Sequence, residues 1–156
     1  HFKSKDDLFN AVLNLALATE RHYIEEMFGS VPANDDEPGK LYTDNLSNRY
    51  ESSAALRFLL RTAFFPPSEL KASVTSGFEA YLDRLRERFG ASLENRYPAL
   101  SANEISMFQD AYIAVVDSLH VELIYCSEGT YCRRLTALWR ILGDSLSLAV
   151  GKVAHG

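Results

Sequence analysis

The sequence predicts an all-α fold, a bundle of about six helices, on three observations. Apolar residues recur at spacings of three and four along most of its 156 residues, no segment shows the alternation or β-branched clustering of a strand, and no repeat period is present. A single domain of this length buries a sizeable core without disulfides or metals.

The first helix begins at Ser4. Its hydroxyl, three residues before Asp7, makes a variant of the capping box, and Asp6 and Asp7 favour the positive helix end. Phe9, Val12, Leu13, Ala16, Tyr23, Ile24 and Met27 continue the stripe to Phe28. Glu20 stands on that stripe in place of an aliphatic residue. An outward side chain is expected there, with pairing near Arg21 or a cavity as the alternatives. Ser30 to Lys40 is dense in turn and charged residues without a period, so it reads as a surface loop. A second helix runs from about Leu41 to Phe65 and stops at Pro66-Pro67. The third, Pro67 to Phe89, carries the cleanest amphipathic stripe (Leu70, Val74, Phe78, Tyr81, Leu82, Leu85), with Gly77 as a kink or break. Gly90 to Leu100 reads as irregular.

Ser101-Ala102-Asn103-Glu104 is a capping box opening a terminal hairpin, Ala102–Glu128 and Thr130–His155, turned at Glu128-Gly129. In its first helix Ile105, Phe108, Tyr112, Val115, Leu119 and Leu123 form one stripe, and Met107, Ala111, Ala114, Val121 and Tyr125 a second flank. In its second helix Leu135, Leu138, Trp139, Leu142, Leu146, Ala149 and Val153 make the main stripe, with Tyr131, Ile141 and Leu148 off it. Helices apolar beyond one stripe are buried on two sides. The hairpin therefore packs on its own domain and against a partner chain, or lies at the centre of a larger monomeric bundle.

A net charge of −5 argues against this segment gripping a phosphate backbone by itself. No apolar run approaches the roughly 20 residues of a membrane span, no signal peptide opens the chain, and a cytoplasmic location is expected. Cys126 and Cys132 flank the hairpin turn without a disulfide framework, which suits a reducing compartment. Inert buried thiols are the expectation for both, with a redox switch as the alternative.

Catalysis needs a nucleophile beside a base, or a metal cage. No Glu-x-x-His pair, phosphate-binding glycine loop or nucleophile elbow occurs, so neither an enzyme nor a cofactor is expected. His120, Glu122 and Cys126 are close in sequence, but their offsets scatter them over different helix faces. No metal site is expected of them, and His120 reads as a polar residue in a packed or partly exposed position. Aromatic residues are the richer signal. Phe58, Phe64, Phe65, Phe78, Tyr81, Phe89, Phe108, Tyr112 and Trp139 stand at core-facing positions, where they either fill a core or line an apolar pocket.

The opening nine residues, His1-Phe2-Lys3-Ser4-Lys5-Asp6-Asp7-Leu8-Phe9, resemble a signature of tetracycline-repressor-like (TetR family) regulators. There the end of the DNA-recognition helix runs into an aromatic-rich stretch and a Lys-Ser-Lys-(Asp/Glu)-x-Leu helix start. The resemblance implies that residues 1–3 are the remnant of a helix-turn-helix domain. It makes 4–156 a ligand-binding and dimerisation domain whose two C-terminal helices pair with a second copy as a four-helix bundle. It implies a transcriptional regulator of repressor type, a homodimer reaching DNA only through a domain this sequence lacks. Lys3 and Lys5 would touch DNA phosphates, and Ser4 would cap the first core helix.

On this reading a small, largely apolar effector lies among Phe64, Phe78, Tyr81, Phe108 and Tyr112, oriented by the hydroxyl of Tyr81 or Tyr112. Val121, Tyr125, Ile141 and Leu148 belong to the dimer interface. The alternatives are a helical protein-interaction module without a small-molecule pocket and, with no catalytic set to support it, a small helical enzyme.

Overall fold

The computed structural model of the chain describes residues 2–32, 34–125 and 128–155, with side chains as far as 151. Among them form α1 (Lys5–Gly29), α2 (Lys40–Ser52), α3 (Ala54–Phe64), a 3₁₀ turn (Ser68–Leu70), α4 (Lys71–Arg96), α5 (Ala102–Ile124) and α6 (Glu128–His155), and no strand. His1, Cys126 and the side chain of Val153 lie outside the described residues, and with Cys126 the expectation of a buried thiol there.

Helix starts follow the capping chemistry of the sequence. Ser4 Oγ accepts the Asp7 amide at 3.1 Å, and Ser101 and Glu104 form a reciprocal capping box. Each such cap stabilises its helix by about 1 kcal/mol. α1 packs on α3 and α4, α4 on α5, and α5 on α6, while α2 touches α1, α3, α5 and α6. Between them Ile24, Leu46, Leu56, Leu59, Leu60, Leu85, Leu93 and Leu119 are fully buried. At about 1.5–3 kcal/mol per buried side chain, these residues dominate the stabilising side of folding.

Four boundaries differ from the periodicity. The expected third helix starts at Lys71 and not at Pro67, because Ser68–Leu70 form a 3₁₀ turn ahead of it. The expected helix 41–65 is two helices, divided at Ser53, whose extended backbone lets its hydroxyl accept the Leu56 amide and start α3. α4 runs unbroken through Gly77 and Gly90 to Arg96, so the segment read as irregular is mostly helix, with Leu93 buried. A side chain presses on each of these glycines. A Cβ at Gly77 would meet Leu17 Cδ1 at 2.7 Å, and one at Gly90 would collide with Gln109 Nε2. Tertiary contact outweighs the roughly 1 kcal/mol that glycine costs a helix. Finally, Glu128 and Gly129 open α6 instead of forming the turn.

The loop before α2 ends at Gly39, whose φ of 82° suits glycine. Its carbonyl accepts the Tyr112 hydroxyl at 2.9 Å. Thr43 fixes α6 to α2: its carbonyl accepts from Tyr131 and its Oγ1 from Trp139 Nε1, each at 2.8 Å. Tyr131, off the main stripe of α6, is thus buried against α2. No helix among the described residues is long and apolar enough to cross a membrane.

Candidate functional site

α4 and α5 bring an imidazole into an aromatic core. Tyr81 continues the buried face of α4 that holds Val74, Leu85 and Phe89. His120 follows Val116 by one helical turn on the buried face of α5. Its ring centroid lies 5.9 Å from that of Phe78 and 6.2 Å from that of Tyr81. Phe78 in turn stacks on Tyr81 at 5.8 Å and meets Phe64 edge-on at 6.3 Å. The hydroxyls of Tyr81 and Tyr42 are hydrogen-bonded to each other.

His120 is 0% exposed, and among the described residues neither ring nitrogen has a hydrogen-bond partner. Asp117 Oδ1, 3.9 Å from Nδ1, is beyond hydrogen-bond reach. Each polar atom buried in this way costs about 1–3 kcal/mol. Burial pushes the His120 pKa down to about 3, so the ring is neutral at physiological pH. Burial also raises the phenols of Tyr42 and Tyr81, which stay protonated. The site therefore offers a neutral imidazole, one donor and one acceptor, beside neutral hydroxyls and ring faces.

The five residues expected around an effector fall in three places. Phe64, Phe78 and Tyr81 join His120. Tyr112 instead stacks on Phe89 at 4.1 Å and commits its hydroxyl to Gly39. Phe108 is buried beneath the outer face of the α5–α6 hairpin, where it lines a separate hollow. Two rings expected to face the core do not: Phe64 is partly exposed at the end of α3, and Phe65 is 65% exposed. The helix ends at Phe64, and the backbone of Phe65 turns out ahead of Pro66.

A second polar constellation lies at the α2–α3 break. Glu20, expected outward, is 1% exposed. Its Oε1 accepts Arg49 at 2.6 Å and the Ser53 hydroxyl at 3.1 Å, and the Arg49 guanidinium lies 3.8 Å from the centre of the Tyr23 ring. Desolvation raises the Glu20 pKa, with Arg49 and Ser53 working against it. The sequence concealed this network because the carboxylate's partners stand 29 and 33 positions away.

The hairpin's outer face is apolar and uncovered. Met107, Ala111 and Ala114 of α5 and Leu138, Ile141 and Ser145 of α6 border a hollow of about 390 Å³. Tyr125 is 70%, Ile141 65% and Leu148 61% exposed, whereas Val121 is half-buried. Lys3 and Lys5 are exposed around the start of α1. Glu122 turns from His120 to pair with Arg134 of α6 at 2.6 Å, and among the described residues no three metal-ligating side chains converge. Cys132 is exposed, so the buried-thiol expectation does not hold for it. Sequence reasoning read His120 only as a polar residue in a packed or partly exposed position and did not join it to the aromatic set, although its place four residues after Val116 on a buried face was available as a signal. Neither the models of known protein families nor the curated proteins compared with the chain give a match.

Proposed function

We propose that the chain is the effector-binding and dimerisation part of a tetracycline-repressor-like transcriptional regulator of repressor type. One observation carries the reading: α5 presents different chemistry on its two flanks. Its inner flank holds the unpaired His120 among aromatic rings, and its outer flank carries the exposed row Met107, Ala111, Ala114 and Tyr125. A sensor has to link a ligand site to an interface, and α5, about 35 Å long at 1.5 Å per residue, spans both. The Ser4 cap at the head of α1 supports the resemblance of the opening residues.

In this reading α5 and α6 pair with those of a second copy, and the exposed apolar rows are covered. DNA is reached through a helix-turn-helix preceding α1, with Lys3 and Lys5 beside the phosphates. The effector favours one core shape and changes the spacing of the two reading heads. A coupling of about 1–3 kcal/mol alters operator affinity roughly 5- to 150-fold.

The reading as a protein-interaction module without a small-molecule site draws on a different observation. The rings around His120 touch one another, whereas the 390 Å³ apolar hollow lies on the outer face. Sedimentation velocity tests the interface common to both readings. A dimer is expected at micromolar concentration, and I141E combined with L148E should yield a folded monomer. A wild-type monomer throughout the accessible range would remove the dimer from the proposal.

A further inference from the structure

His120 has no polar neighbour that accounts for it. Its two nitrogens are buried and unpaired among the described residues, and the rings of Phe78 and Tyr81 lie against it. Native proteins leave few such groups unsatisfied, and each one calls for an explanation, a bound molecule among them. The rings also connect this place to solvent. Phe64 is 38% exposed, Phe78 beside it is half-buried, and Phe78 touches the imidazole. Phe78 therefore reaches both the surface and the imidazole.

We propose that His120 anchors a binding site for a neutral, flat aromatic ligand bearing an O–H or N–H donor, of the phenol or indole class, which enters past Phe64 by displacing the Phe78 ring. The inference rests on the effector-sensing reading and names the ligand class of that site. The donor hydrogen-bonds the unprotonated imidazole nitrogen. The Tyr42–Tyr81 pair uses one of its two hydroxyl protons internally, which leaves the other for an acceptor on the ligand. Tyr81 supplies the ring face for stacking. Anions are disfavoured, because the imidazole is neutral, the Asp117 carboxylate lies 3.9 Å from its Nδ1 and Arg49 is paired with Glu20.

Thermal unfolding of the chain with millimolar phenol, indole, toluene and benzoate tests the proposal. Phenol and indole should raise the Tm progressively with concentration. Toluene, equal in shape but without a donor, should bind at least tenfold more weakly, and benzoate should give no shift. H120L should reduce phenol affinity to the level of toluene. F78A, which removes the displaced ring and keeps the imidazole, should bind phenol about tenfold more tightly. It tests the anchor even if H120L does not fold. Equal binding of phenol and toluene by wild type and F78A would overturn the role of His120 while leaving an apolar effector site. Absence of any shift in both proteins would overturn the anchor and the effector-sensing reading together.

Discussion

Glu20 and His120 occupy comparable places, each standing on a helix stripe where an aliphatic residue would continue it and each removed from solvent. Glu20 has drawn in a guanidinium and a hydroxyl. His120 has drawn in nothing. The difference follows from their chemistry. An ionised carboxylate cannot be buried without partners, whereas an imidazole avoids charge by releasing its proton and stays as a neutral ring with two open hydrogen-bonding positions. The carboxylate binds the fold together across α1, α2 and α3; the imidazole is left free to bind something else.

Truncation of the paired group gives the largest expected effect. Glu20→Ala strands Arg49 and removes an acceptor from Ser53, and should destabilise the chain by about 2–3 kcal/mol in urea unfolding. This is below the range for a fully buried pair because the Arg49 side chain remains 23% exposed. An unchanged urea midpoint would mean that the network contributes nothing net.

The pH dependence separates the two groups by sign. The native state holds the Glu20 proton more tightly than the unfolded chain does, so its contribution to stability declines as pH rises above the ordinary 4.5. His120 acts oppositely. Between its ordinary 6.5 and about 3 the unfolded chain binds a proton that the native state refuses. Its contribution is complete above pH 6.5 and is lost as pH falls, at up to about 1.4 kcal/mol per pH unit. Unfolding measured from pH 4 to 7 should lose the first slope in E20Q and the second in H120L.

A smaller change of opposite direction is expected for H120L at pH 7. Replacing an unsatisfied imidazole by an aliphatic side chain should stabilise the chain by about 1 kcal/mol, read as a raised Tm. A loss of similar size would reveal a structural partner for His120. Smallest in folding energy is Ile141→Glu on the outer face, which should shift stability by less than about 0.5 kcal/mol while weakening self-association in sedimentation. An undiminished dimer would place the interface elsewhere.

The same contrast marks what was legible in the sequence. Local chemistry gave the helical class, the caps at Ser4 and Ser101, the stop at Pro66-Pro67 and the two-sided α5. Distant contacts decided the rest. Ser53 carries a capping hydroxyl, but the apolar period continues through it and hides the break that its bonds to Leu56 and Glu20 fix, and Gly77 and Gly90 look like breaks until Leu17 and Gln109 are seen packed against them. The aromatic residues were visible as a set, but their separation into a His120 group and a Gly39–Phe89–Tyr112 group depends on how α4 meets α5.

The imidazole itself offers the most direct measurement. In protein labelled with ¹⁵N-histidine, long-range ¹H–¹⁵N spectra report the protonation and hydrogen bonding of each ring, and the difference from H120L isolates His120 from His1, His22 and His155. A neutral ring at both pH 5 and pH 8, with nitrogen shifts that move when phenol is added and stay in place with toluene, is expected. An imidazolium at pH 5, or a ring indifferent to phenol, would contradict the assignment of His120 as an open, neutral binding group.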